Sequence, residues 1–284
     1  MKIPTPKFAN GMTWIVKIEE LPWDDPKNTK MDFGILRLGK NQSCSLDQEM
    51  EKAILLMNGE ITASWKESGS SKEIKEKVVR ASLFDENPWC LHVAGNVAVA
   101  IKAGNCDVEI ALVLTRNEKS FAPKLYKPAD CKSELRGEGT MREMSTRVVR
   151  TIFDRSNAPK EANLVLGEVI NYPGKWSSYP PHWHVQPEIY HYRFLPEQGF
   201  GFCMLGDEVV KVKHGDTVKI FGVTHPQTSA PGYAMYYLWA IRHLDGKPYG
   251  PESGTPVFDP AHAWVMKKDN EDAIWPPKKD KIKK

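Results

Sequence analysis

Along this chain, apolar and polar residues alternate or run together in blocks of roughly five to eight residues, and Gly, Pro, Asn and Asp separate the blocks. In the first half the blocks are 33–37, 53–57, 60–65, 89–93, 97–102 and 108–114. In the second half they are 148–153, 164–170, 188–195, 199–205, 209–213, 217–221 and 234–241. Turn residues stand between them, as in Asn58-Gly59, Gly95-Asn96, Gly104-Asn105 and His214-Gly215-Asp216. A period of two sends successive side chains to opposite faces, so each block predicts a strand with at least one buried face. Helical periodicity is scarce, and the charged stretch 71–77 reads as an exposed loop. Many short strands at close spacing predict an all-β protein built from sandwiches or small barrels.

The rhythm breaks over 115–146, which is rich in Lys, Glu, Pro and Gly. This stretch predicts a crossing between two β units, spanning 1–135 and 136–284. Its Arg136-Gly137-Glu138-Gly139-Thr140 is no phosphate loop, because neither Lys-Ser/Thr nor a helical pattern follows. The halves match in strand density but not in sequence, as expected of a duplicated barrel in which only the second copy carries chemistry. The first half holds a single histidine, His92, in an apolar setting that predicts a core or interface residue.

Candidate chemistry concentrates in Pro180-Pro181-His182-Trp183-His184-Val185-Gln186-Pro187-Glu188 and in His225. Of eight histidines, seven lie within 182–262, which directs attention to this half. Histidines at i and i+2 share one side of an extended strand. Glu188 reaches the same point if the chain turns at Gln186-Pro187, and His225 arrives from a later strand or turn. Apolar flanks bury these imidazoles, and buried polar rings need partners. His182, His184, Glu188 and His225 are therefore expected to bind one divalent metal ion, zinc first, with manganese, iron, cobalt or nickel also suited.

At 284 residues the chain is long enough for two units with ample core. A hydrophobic content of 41% and a charged content of 26% are ordinary for a globular protein. The formal charge of +3 gives no ground for a nucleic-acid partner, and the Lys-rich 278–284 reads as a solvated basic tail. Five scattered cysteines without a CxxC pair fit a reducing compartment rather than a disulfide framework. With no signal-like N-terminus and no bilayer-length apolar run, the expectation is a soluble cytoplasmic protein with no membrane partner.

The order Gly174, His182, His184, Glu188, Gly199, followed by Gly215, Asp216 and His225, is similar to the two motifs of the cupin superfamily. Longer strings extend the likeness. They include Met31-Asp32-Phe33-Gly34, Pro173-Gly174-x-Trp176-Ser177-Ser178-Tyr179-Pro180-Pro181-His182-x-His184 and Glu188-Ile189-Tyr190-x-Tyr192-Arg193-Phe194. They also include Gln198-Gly199-Phe200-Gly201-Phe202 and Pro231-Gly232-Tyr233. Through these the chain resembles the 5-deoxy-glucuronate isomerase family of inositol catabolism, a family of two-cupin enzymes. It departs from that pattern in the short Val185-Gln186-Pro187 link and in the long excursion over 242–254.

The resemblance implies two cupin (jelly-roll) barrels in tandem, the second holding the metal. It implies a metal-dependent aldose–ketose isomerase that converts 5-deoxy-glucuronate to 5-dehydro-2-deoxy-gluconate. Ring-opening hydrolysis of a diketo-inositol at the same ligands is the alternative, and a non-catalytic sugar-binding protein is a third reading. Alternation after Pro187 puts Glu188, Tyr190 and Tyr192 on one face, with Ile189, His191 and Arg193 pointing away. Tyr192 is then a candidate proton carrier, Glu188 a ligand or base, and Tyr190 a substrate contact. Arg242 and Lys175 are candidates for holding the substrate carboxylate. Exposed barrel edges lead to the expectation of a homo-oligomer.

Overall fold

The computed structural model describes residues 1–66 and 72–276. The protein is all-β, with short 3-10 turns and two curled-sheet units in tandem. No helix among the described residues is long and apolar enough to cross a membrane.

The first unit is organised by one long strand, Glu51–Lys66. Asn58-Gly59 reads as a turn in the sequence, but the strand runs through it. The ladder with Val108–Thr115 slips register between Leu56 and Asn58, and Gly59 sits at φ +101°. A Cβ there would lie 2.7 Å from the Asp107 carbonyl oxygen, so only glycine fits this bulge. Before the bulge the strand pairs with Cys90–Val93, and after it with Val99–Ala103 and Glu73–Arg80. The stretch 71–77, expected to be a loop, is therefore largely strand, and Ser71 lies outside the described residues. Its Glu73, Lys75 and Lys77 belong to a charged edge strand, where exposed charge discourages further pairing. The interior is filled by side chains such as Leu36, Leu56, Trp65, Ile101, Ile110 and Leu112.

In the second unit a seven-stranded sheet faces a four-stranded one. The larger sheet runs Lys2–Ile3, Thr217–Phe221, Pro187–Leu195, Ala234–Arg242, Leu164–Asn171, Arg147–Phe153, Lys132–Arg136. The smaller consists of Trp176–Ser177, Gln227–Ser229, Phe200–Leu205 and Glu208–Lys213. The N-terminal strand thus crosses to the second unit. Within 115–146, Lys124–Tyr126 pairs with Cys90–Val93, whereas Lys132–Arg136 pairs with Arg147–Phe153, so the chain changes unit between them.

The two units pack face to face. Phe33, Ile35 and Leu55 of the first share a core with Ile152, Ile189 and Leu238 of the second. Central strands such as Leu164–Asn171 are buried along their whole length, one face in each core. Charged groups are paired inside this contact. Arg80 donates to both oxygens of Glu168, at 2.7 and 2.8 Å, and the Tyr236 hydroxyl donates to the same carboxylate at 2.7 Å. Arg193 meets Glu109 at 2.7 Å. His92 contacts Glu51 at 2.8 Å and stacks on Phe153 of the second unit, so it is the interface residue its setting predicted.

Candidate active site

His182 lies on the two-residue strand His182–Trp183, and His184 follows it directly. The chain turns through Val185-Gln186 and enters Pro187–Leu195, which brings Glu188 back beside His184. His225 comes from the loop between Thr217–Phe221 and Gln227–Ser229. The ligand atoms of His184, Glu188 and His225 lie within 4.8 Å of one another, and all three residues are buried.

The backbone fixes how these rings face. His184 Nδ1 lies 3.0 Å from the Gln186 carbonyl, His225 Nδ1 2.8 Å from that of Val223, and His182 Nδ1 3.3 Å from that of Pro180. A carbonyl accepts, so each Nδ1 carries the proton and each Nε2 presents a lone pair. Glu188 Oε2 is 3.1 Å from Nε2 of His184 and 3.4 Å from that of His225. Acceptors therefore converge on one point, and the buried His225 Nε2 has no hydrogen-bond partner. Such an arrangement is stable around a cation, and the carbonyls are the outer contacts that orient metal-binding imidazoles. The His182 ring stands edge-on to His225, 4.8 Å between centroids, but His182 is not among the three residues whose ligand atoms converge. Burial, then the neighbouring His225 and His184, lowers His182 to about 3, and burial also lowers His225. Both are neutral at neutral pH, the form that binds metal.

These residues line a cavity of about 530 Å³ inside the second barrel. Strand alternation builds its walls: Arg147, Val149 and Thr151 project into it from one strand, Glu188 and Tyr190 from another, Tyr237 and Trp239 from a third. Tyr237 is anchored by a 2.6 Å hydrogen bond with Ser177. The mouth is roofed by the C-terminal segment. Val257–Phe258 pairs with His182–Trp183, and the Phe258 ring lies 5.6 Å from that of His182. The excursion over 242–254 folds over the same end, where Gln186 Nε2 donates to Lys247 O at 2.8 Å and Tyr249 packs 4.9 Å from His184. The short link before Glu188 and the long excursion are thus in contact.

Not every expected site residue meets the cavity. Tyr190 does, with its hydroxyl 3.4 Å from Ser178 Oγ. Tyr192 shares its strand face but lies deeper, where the core closes. It is fully buried, and its hydroxyl donates to Gln227 Oε1 at 2.8 Å. Arg242 points toward the first unit, with its guanidinium 5.1 Å from the Trp23 ring. Lys175 does not line the cavity either; its carbonyl accepts from Asn171 Nδ2 and Thr228 Oγ1. As expected, Ile189, His191 and Arg193 face the first unit, His191 lying 5.1 Å from the Phe33 ring. The cavity's basic residues are instead Arg136 and Arg147. Both lie in or beside segments that stand out in the sequence, but nothing there marks which strand face is interior.

Comparison with known proteins bears on this site and fold. The 5-deoxy-glucuronate isomerase of Geobacillus kaustophilus is 30% identical over 256 residues, covering 82% of this chain and 85% of the relative. That of Bacillus subtilis strain 168 is 28% identical over 280 residues, covering 92% and 96%. Among solved structures, an IolB-like protein from Salmonella typhimurium LT2 matches with a TM-score of 0.77 at 22% identity, covering 94% of this chain and 99% of the other. Lactobacillus farciminis oxalate decarboxylase matches with a TM-score of 0.62 at 10% identity, covering 85% of each chain, and shares the two-cupin fold. The KduI/IolB family model matches residues 3–265, and the chain belongs to that family.

Proposed function

We propose that this protein is a metal-dependent isomerase that converts 5-deoxy-glucuronate to 5-dehydro-2-deoxy-gluconate; its curated relatives are named 5-deoxy-glucuronate isomerase. The observation that carries the reading is the convergence of His184, Glu188 and His225, beside His182, in a cavity that also holds two arginines. An aldose–ketose isomerisation moves a proton from C2 to C1, turning the aldehyde into an alcohol and the C2 alcohol into a ketone. His184, Glu188 and His225 would hold a divalent ion, which would supply Lewis-acid stabilisation of the oxygen charge that develops on the way. Glu188 is the carboxylate at the imidazoles and the candidate to accept and return the proton, besides serving as a ligand. Burial raises the Tyr190 phenol well above its ordinary value, so it stays protonated at neutral pH and acts as a donor toward oxygen. Tyr249 and Phe258 cover the mouth and limit access of bulk water.

The test is product analysis by NMR in ¹⁸O-labelled water. Purified protein given 5-deoxy-glucuronate should convert aldehyde to ketone, with no label in the new carbon skeleton beyond carbonyl exchange. Chelation should abolish turnover and a divalent ion restore it. Inertness toward this acid, together with ring opening of a diketo-inositol and uptake of label at the new carboxylate, would overturn the proposal in favour of a hydrolase.

A further inference from the structure

Arg136 and Arg147 are register partners on adjacent antiparallel strands, Lys132–Arg136 and Arg147–Phe153, and both line the cavity. Directly opposed like charges destabilise a strand pair, so an anion bound between them would be stabilising. Arg136 has part of one: its Nε meets Glu134 at 2.8 Å on an exposed edge. Arg147 has none, since no carboxylate pairs with it among the described residues. Its Nη1 is held by the carbonyl and hydroxyl of Ser145, at 2.7 and 2.8 Å. That grip fixes the guanidinium and leaves Nε–H and Nη2–H for another acceptor. The cavity's own carboxylates are otherwise engaged. Glu188 faces the imidazoles, and Asp154 accepts from the Ser156 amide and hydroxyl at 2.8 and 2.6 Å. Burial also lowers the Arg147 guanidinium from its ordinary value, with Arg136 adding repulsion.

We infer that Arg147, assisted by Arg136, is the subsite that binds the carboxylate of the substrate and makes the enzyme selective for sugar acids over neutral sugars. The inference deepens the isomerase reading and rests on it for the identity of the substrate. The guanidinium fork suits a carboxylate bidentately and is fixed before the ligand arrives, which favours specificity. Arg147 is on this account a specificity residue that binds the substrate end remote from the reacting carbons.

The experiment compares kcat/KM for 5-deoxy-glucuronate and for its neutral primary amide in wild type, Arg147→Gln, Arg147→Lys and Arg136→Gln. Wild type should prefer the acid by about 10–100-fold, the range set by hydrogen bonds to a charged group. Arg147→Gln should bring the ratio close to one by raising KM for the acid far more than for the amide, which keeps only a neutral hydrogen bond to lose, with metal content unchanged. Arg147→Lys should retain part of the preference, and Arg136→Gln should reduce it by a smaller factor. A purely structural arginine would depress acid and amide alike, and an unchanged ratio in the variants overturns the inference. If Arg147→Gln does not fold, the same criterion applies to Arg147→Lys and Arg136→Gln. Calorimetric titration with D-gluconate, which lacks an aldehyde, separates this question from catalysis. Gluconate binding that is lost in Arg147→Gln, in a protein that isomerises nothing, would retain the anion site while the isomerase reading fails. No gluconate binding together with no acid preference in wild type would remove the site.

Discussion

Replacing Tyr192 with phenylalanine separates a catalytic phenol from a packing one. The sequence makes Tyr192 a candidate proton carrier because it shares a strand face with Glu188 and Tyr190. In the folded protein the hydroxyl is fully buried and donates to Gln227 Oε1 at 2.8 Å, away from the cavity. Tyr192→Phe keeps the ring and removes that donor. The Gln227 carbonyl, also fully buried, is then left without its partner, a loss worth about 1–3 kcal/mol. For a chain of this size the melting temperature should fall by about 2–10 °C. Activity at a temperature where the variant is folded should stay within about threefold of wild type. A general acid–base group would instead be worth about 10²–10⁴-fold. The assay pairs a thermal melt with kcat from aldehyde consumption. A hundredfold fall in kcat with an unshifted melt would refute the argument and return Tyr192 to the chemistry.

The strands were legible because period-two alternation survives wherever one face is buried, as at Val99, Ile101 and Ala103. What alternation could not report was where the second face goes. Leu164–Asn171 and Pro187–Leu195 are buried on both faces because a second barrel packs on their outer side. Asn58-Gly59 looks like a turn for a local reason, the glycine's positive φ, yet tertiary pairing on both sides keeps the strand continuous. Likewise the charges of Glu73–Arg80 suggest a solvated loop, and the neighbouring strand Glu51–Lys66 supplies the ladder that local composition does not encode.

For the site, spacing was informative where residues are close in sequence. His184 and Glu188, four apart, do meet, because Pro187 starts a strand immediately after the turn. His225, distant in sequence, was reached through its motif order, and the structure brings it to the same carboxylate. The basic residues were harder to place. Arg242 and Lys175 stand beside strand ends, but side-chain direction decides access, and Arg242 turns toward Trp23 of the first barrel. Arg136 and Arg147 reach the cavity because their strands form one edge of the seven-stranded sheet, a pairing separated by a connection that carries no periodic signal.

Three further outcomes are expected. His184→Ala or His225→Ala should lower bound divalent metal by at least about tenfold in elemental analysis, since second-sphere changes alone reach that size; full metal content would remove these residues from the centre. Glu168→Ala, which leaves Arg80 and Arg150 buried without their carboxylate, should destabilise the protein by about 3–5 kcal/mol in denaturant titration, and an unchanged midpoint would mean that the contact between the barrels does not depend on it. The last concerns His243, which is buried and accepts the Tyr249 amide at Nδ1, 2.9 Å away. Burial, reinforced by Arg155, lowers His243 from 6.5 to about 4. The unfolded chain then takes up a proton near pH 6.5 that the folded chain refuses until about pH 4. Stability from this group is therefore complete above about pH 6.5 and is lost as pH falls toward 4. At about 1.4 kcal/mol per pH unit the window carries about 3 kcal/mol. Wild type alone at two pH values does not isolate this group, because other buried histidines, His182 and His191 among them, titrate in the same direction. The quantity to read is the difference between wild type and His243→Gln, whose amide oxygen can still accept from Tyr249. Urea unfolding at pH 7.5 and pH 4.5 should show wild type losing about 2–3 kcal/mol more than the variant on acidification. Equal losses would show that His243 takes up its proton in the folded protein as readily as in the unfolded chain, and that its burial at the excursion does not exclude the charge.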